Sequence, residues 1–379
     1  MQVYLDNAAT TPIDPEVFET MKPYMLSHFG NPSSIHAHGR QVRSAIEKSR
    51  RTVAELLNTS PAEIFFTSGG TEADNTAICG VLDSHKFNEV ITSKVEHHAV
   101  LHTLEHLEAQ GKINLSFVSV DTNGRLDLNH LEALLQKKGP ALVSLMHANN
   151  EIGNLTDIQK VAEICEEYKS VFHSDTVQAI GHYVHDLQQV NVHCIVGAAH
   201  KFHGPKGVGF LYVKADHKIP PFIHGGAQER NMRGGTENVI GIVGLAKAME
   251  IAYDHMQEHH QYIQGLKTFM IDRLKQEIPG VQFNGLSEQS DQSLYTVLNV
   301  SFPPTGDNEM LLFNLDINGI SASGGSACSS GSSLGSHVLS ALNCDPERGS
   351  VRFSFSKFNT KEEIDYTVGK LAELFRVQA

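Results

Sequence analysis

The sequence has no tryptophan, no two cysteines in C-x-x-C spacing, and no apolar run near the roughly 18 residues that a membrane-spanning helix needs. Basic residues are also scarce: 30 Lys and Arg stand against 43 Asp and Glu, giving a net charge of −13. A surface that acidic argues against a nucleic-acid backbone or an anionic membrane as the main partner. Cys79, Cys165, Cys194, Cys328 and Cys344 form an odd set, so at least one thiol is free. That usage predicts a reducing cytoplasmic setting rather than a secreted disulfide framework. The opening residues, MQVYLDNAATTP, lack a basic start followed by an apolar stretch, and no signal peptide is expected. Neither a G-x-x-x-x-G-K-[ST] phosphate loop nor a G-x-G-x-x-G dinucleotide fingerprint occurs.

What is present is enough for a sizeable core: 379 residues, 40% of them hydrophobic and 19% charged. Short β-branched runs over 64–67, 89–92, 115–120, 141–146, 171–175, 194–198 and 208–213 read as buried strands. Helical patterns fit between them, from Thr71 to about Asp83, from His98 to about Glu108, and over 158–168. Strands alternating with helices predict an α/β domain around a mostly parallel sheet. Beyond about residue 240 the pattern shifts to a long helix over 239–260 and a second over 262–278, stopped by Pro279-Gly280. Strands over 296–302 and 349–356 and a helix over 361–376 complete a second, α+β unit.

Residues 321–336, SASGGSACSSGSSLGS, hold eight Ser, four Gly and no charge. Such a stretch has little apolar area to bury and predicts a mobile loop. Free cysteine is usually buried, so Cys328 within this loop reads as a functional thiol rather than an incidental one. Ser68-Gly69-Gly70-Thr71 follows a strand and opens a helix, with Thr71 as a candidate cap; its N–H groups could take a phosphate, although plain capping is the simpler reading of it alone. Lys201 follows the strand 194–198 and is the kind of amine that forms a Schiff base. Together with Asp175 as a partner for a pyridinium nitrogen, a phosphate cup and such a lysine describe a pyridoxal phosphate site. His98, His102 and His106 share a helical face, but no H-E-x-x-H accompanies them, and solvated helix residues are the better reading. His97, beside Glu96 at a strand-to-helix junction, is placed to face a site above the sheet.

The motifs Tyr4-Leu5-Asp6-Asn7-Ala8-Ala9-Thr10-Thr11-Pro12, Gly30-Asn31-Pro32-Ser33-Ser34, Thr67-Ser68-Gly69-Gly70-Thr71-Glu72, Glu96-His97, Asn149-Asn150-Glu151-Ile152-Gly153, His200-Lys201, Arg233-Gly234-Gly235-Thr236 and Gly325-Ser326-Ala327-Cys328 occur in order. In that set the chain resembles the cysteine desulfurases, pyridoxal phosphate enzymes of the class V aminotransferase group with fold type I. The resemblance runs from residue 3 to about residue 356. It implies a large cofactor domain over 12–260 and a small domain made of 1–11 and 261–379.

By that resemblance Lys201 would hold pyridoxal 5′-phosphate and move the proton from Cα of the substrate. Asp175 would pair with the ring nitrogen, Gln178 would bond the phenolic oxygen, and His97 would stack on the ring and assist proton transfer. Gly70, Thr71 and His200 would hold the phosphate, and Thr236 would complete the cup from the other subunit of a homodimer. Asn150 and Arg352 would bind the substrate carboxylate, for which a bidentate arginine is suited. The implied reaction converts L-cysteine to L-alanine and leaves sulfur on Cys328 as a persulfide, for a sulfur-acceptor protein such as an iron–sulfur scaffold. Two departures stand out: Ala198 replaces a common serine three residues before the lysine, and Gly335 stands where a proline often precedes Ser336-His337. Selenocysteine lyase or another class V aminotransferase is the nearest alternative, and a histidine-rich metal carrier or an iron–sulfur scaffold is the non-enzymatic one.

Overall fold

The computed structural model describes residues 1–304, 310–324 and 335–376. The chain opens with a two-residue strand, β1 (Val3–Tyr4). A central sheet follows, built from β2 (Ile64–Thr67), β3 (Glu89–Ser93), β4 (Asn114–Val118), β5 (Leu142–Ser144), β6 (Val171–Asp175), β7 (Cys194–Ala198) and β8 (Gly209–Val213). The order across the sheet is β2-β8-β7-β6-β5-β3-β4, and only β8 runs against the rest. Every residue of β5 to β8 is buried. Strands covered on both faces read as continuous apolar runs, which is why their positions show in the sequence. Three have the expected bounds, and the other expected strands of this sheet differ at their ends by one or two residues.

Helices Pro15–Leu26, Ala37–Leu56 and Leu128–Lys138 were not among the sequence expectations. The first is set by Asp14, whose side chain accepts from the Glu16 N–H, with Pro15 opening the helix. The second buries Val42, Ile46 and Val53 at helical spacing and packs on the helix Val239–Asp254. The single helix expected over 239–260 breaks at His255 (φ −110°, ψ 15°), and a new one, Met256–Glu277, begins there. The two belong to different apolar cores. The first helix packs into the cluster around Phe172, Phe210 and Met249, and Ile263, Leu266 and Met270 of the second pack with Val3, Leu5, Val351 and Phe353. A change of direction between them is required.

The second core is lined by β9 (Gln282–Phe283), β10 (Val297–Ser301), β11 (Ile320–Ser321) and β12 (Ser350–Ser354). β12, β10 and β9 form an antiparallel sheet, and β11 pairs in parallel with β1 through Val3–Ile320. The first residues of the chain thus join its last third. Asp6 extends this junction by bridging to Ser354.

Lys267 sits in this second core, fully buried, and donates to Ser293 Oγ (2.9 Å) and the Leu294 carbonyl (3.0 Å). Burial pushes its ammonium down to about 7. The unfolded chain, with an ordinary lysine near 10.4, therefore binds more protons between those values, and stability rises with pH across that window. Leu294 O also accepts from the Val297 N–H and Ser293 Oγ donates to Gln289 O, so Lys267→Met orphans little. Lys267→Met should raise the melting temperature at pH 7 by several degrees. That advantage should shrink toward pH 10; an advantage independent of pH would show that the buried charge is not the cause.

Candidate active site

The parallel strands end on one edge of the sheet, and their carboxyl ends deliver the polar residues. β2 runs into the Gly70–His85 helix, β3 into Glu96-His97, β5 into Met146 and Asn150, β6 ends at Asp175, and β7 leads into Ala199–Lys201. Open α/β sheets place ligands at that edge. Here it holds a cavity of about 230 Å³ lined by Ala8, Ala9, Gly70, Thr71, Asp74, His97, Met146, Asn150, Asp175, Val177, Gln178, Ala198, His200, Lys201 and Arg352. Nine residues named from the sequence therefore meet in one place. Thr236 is exposed and does not line this cavity, and Cys328 lies outside the described residues.

Thr71 is not the helix cap. Gly69 holds the cap position without a side-chain hydrogen bond, and Gly70 is the first helical residue. A Cβ at Gly70 would come within 2.7 Å of Val177 Cγ2, so only glycine lets the helix start lie this close to the cavity wall. The exposed N–H groups and the positive helix end make this the natural seat for an anion. His200 stands beside it with Nδ1 3.2 Å from Thr10 Oγ1. Burial first, then Lys201 and Lys206, push His200 down to about 4, so it is neutral at pH 7.

Lys201 Nζ donates to the carbonyls of Ala8 (2.5 Å) and Ala9 (3.0 Å). Gln178 Nε2 donates to the same Ala8 carbonyl at 2.9 Å. Asp175 accepts from the Val177 N–H through Oδ1 (2.9 Å). Two further carboxyls, Asp74 and Glu96, are buried nearby, and burial pushes both well above the ordinary carboxylate range. Asp175 adds to the rise in each, and Glu96 also raises Asp74. His97 caps the helix His98–Ala109 with Nδ1 accepting from the Ala99 N–H (3.1 Å), which leaves the ring proton on Nε2. Burial lowers its basicity, opposed by Asp175 and reinforced by Lys201.

Arg352, in the middle of β12, is buried. It donates to Asn150 O (2.9 Å) and to Asp6 Oδ1 (2.8 Å), and its Nε has no hydrogen-bond partner among the described residues. Ser323 Oγ donates to the same Asp6 oxygen. At the far end of the serine-rich segment, Ser336 Oγ donates to buried Glu151. Both ends of the segment that carries Cys328 are thus tied beside the cavity. Gly335 has φ +66°, which proline cannot adopt, so this departure follows the local backbone. Ala198 lines the cavity and leaves no hydroxyl there.

His98 is not simply solvated: its ring lies 4.4 Å from those of His102 and His337. No group of three or more ligating side chains among the described residues is arranged to hold a metal ion. Of the other cysteines, Cys165 and Cys194 are buried and pushed up to about 12, which makes them inert packing groups. The roles of Ala8, Ala9 and Asp6 were not assigned from the sequence. The signal was the motif at residues 4–12, in which Asp6 is the only carboxylate.

The aminotransferase class-V family model matches residues 3–367. The cysteine desulfurase IscS of Dictyoglomus turgidum is 45% identical over 377 residues, covering 98% of this chain and 94% of that protein. The cysteine desulfurase IscS of Clostridium botulinum (strain Hall) is 43% identical over 380 residues, with 99% and 94% covered. Among solved structures, a NifS-like protein superposes with a TM-score of 0.91 at 37% identity, covering 100% of both chains. A structure of SspA in complex with cysteine gives 0.80 at 30% identity, covering 95% of this chain and 100% of that one. With this match along almost its whole length, the chain belongs to the class V aminotransferase family and, within it, to the cysteine desulfurases.

Proposed function

We propose that this chain is a pyridoxal phosphate-dependent cysteine desulfurase that takes sulfur from L-cysteine, releases L-alanine and carries the sulfur on Cys328 as a persulfide. The convergence of Lys201, Asp175 and His97 on one cavity at a glycine helix start supports this reading most directly. The donor set fits the cofactor: an amine, a carboxylate at a strand end, an imidazole, and a helix start at which a Cβ on position 70 would collide with Val177 in the cavity wall. Lys201, Asp175, Gln178, His97 and Asn150 would meet the ring, and Gly70, Thr71 and His200 the phosphate. When bound, pyridoxal phosphate supplies an electron sink for the pair left at Cα as its proton departs.

The chain's own groups do the rest. Arg352 and Asn150 bind the substrate carboxylate, which would complete the hydrogen bonding of the unpartnered Nε. Lys201 takes the Cα proton, and His97 exchanges a proton through Nε2. The Cys328 thiolate attacks the substrate sulfur; an S–S bond forms as the C–S bond breaks, and the carbon takes the electron pair and then a proton. No external oxidant or reductant is needed.

Thr236 completes the partner's phosphate cup in a homodimer, which its exposure and its absence from the lining of its own cavity favour. Residues 12–260 form the cofactor unit, and 1–11 with 261–379 form the unit that carries Arg352 and Cys328. No helix among the described residues is long and apolar enough to cross a membrane, in keeping with the cytoplasmic location we propose. The persulfide is delivered to an acceptor such as an iron–sulfur scaffold; recovery of no such protein on crosslinking in cells would argue against that destination.

The decisive experiment is an assay for alanine and persulfide from L-cysteine. Cys328→Ala should abolish persulfide formation while keeping the bound cofactor and its absorption. Undiminished alanine production by this variant would remove Cys328 as the sulfur acceptor.

A further inference from the structure

Between β8 and the helix Val239–Asp254, three consecutive non-glycine residues are left-handed: Glu229 (φ 43°), Arg230 (φ 57°) and Asn231 (φ 66°). L side chains rarely adopt this region even singly, so a run of three must be imposed by its surroundings. The restraint is a buried ion pair. Arg50 and Glu229 are 1% and 3% exposed and joined by two hydrogen bonds of 2.7 Å. Glu229 also accepts the Phe66 N–H (2.8 Å), and Arg50 donates to Ile64 O (2.8 Å). The turn is thereby fastened to β2, the strand that runs into the anion seat.

Two residues beyond the turn, Arg233 grips Glu72 with Nε–Oε1 2.8 Å and Nη2–Oε2 3.1 Å. Glu72 is the third residue of the Gly70–His85 helix, and its Oε2 also accepts the Ser68 N–H (3.0 Å). Burial pushes the Glu72 carboxyl up, but Arg233 and Ser68 outweigh it and keep it below the ordinary range. It is therefore ionised within the first helical turn, where it competes with a phosphate for the same positive helix end. The guanidinium cancels that charge.

We propose that Arg233 and Glu72, backed by the Arg50–Glu229 clamp, are a positioning pair that fixes the Thr236 segment and keeps uncompensated negative charge out of the phosphate cup. The charge argument rests on the proposed phosphate cup, and only the part concerning residue 236 rests on the cross-subunit role of Thr236. Its signature is asymmetry. Without Arg233 the cup faces a bare carboxylate, whereas without the Glu72 charge it faces an additional cation.

The test measures the dissociation constant for pyridoxal phosphate by absorbance titration of the full-length protein. Dimer mass by sedimentation and the melting temperature of the cofactor-free protein are recorded alongside. Arg233→Met should weaken binding about tenfold or more, Glu72→Gln should leave the affinity within about threefold of the parent protein, and the double variant should regain most of the affinity lost. Unchanged affinity in Arg233→Met overturns the proposal. So does a double variant as weak as Arg233→Met with a lowered melting temperature, which would mark a purely structural pair. Thr236→Ala separates the underlying reading. Weakening there with no effect of Arg233→Met rejects the pair; rescue by Glu72→Gln with Thr236→Ala silent keeps the pair and rejects the role of Thr236.

Discussion

Replacing Lys201 with alanine should abolish alanine formation from L-cysteine, a loss of at least about 10³-fold, and should leave no cofactor that borohydride can fix to the chain. Both effects come from one nitrogen. Lys201 follows β7 on a short turn and reaches the carbonyls of Ala8 and Ala9, which hold it at the cavity wall. Among the described residues no other lysine lines the cavity, so no neighbouring lysine there can take over. Asp175, Gln178, His97 and the helix start stay in place, and the variant should still bind pyridoxal phosphate reversibly. A cofactor that remains fixable by borohydride would show that the covalent link lies elsewhere.

Arg352→Lys should raise the KM for L-cysteine about a hundredfold while lowering kcat far less. The change keeps the charge and removes the fork. A carboxylate bound by two charge-assisted hydrogen bonds loses roughly 3 kcal/mol when the planar donor is replaced by a single ammonium. The variant should also melt earlier, because Arg352 joins Asp6 to Asn150 from a buried position. Asp6→Asn separates the two effects: it weakens the same junction and should lower the melting temperature with a much smaller change in KM. Equal KM increases in both variants would show that Arg352 acts only through the fold.

The positions of the central strands were legible because buried strands leave contiguous β-branched runs, as at Val171–Asp175 and Cys194–Ala198. The reactive side chains were legible because they sit where those runs end. The helix Ala37–Leu56 carried a readable signal in Val42, Ile46 and Val53, but its charged outer face obscured the apolar stripe. The break at His255 was not legible, since helical propensity continues through it and only the division between two cores demands a turn. Asp6–Arg352 could not have been read from one sequence. The two residues are 346 positions apart, and nothing local announces that they meet. Glu229 was likewise invisible, because a glutamate on a surface-like segment gives no hint of a buried arginine.

The parallel pairing of Val3 with Ile320, and the bridge from Asp6 to Ser354, have a consequence for biosynthesis. The carbonyls of Ala8 and Ala9 are among the first parts of the site to be translated, yet the strand before them has nowhere to dock until the far end of the chain emerges. The central sheet can form while the chain is still being made, but the cavity gains Arg352 only once the strand Ser350–Ser354 has been made and has paired with the small unit. A short deletion or a bulky fusion at the first few residues should damage the enzyme as severely as the loss of its last strand.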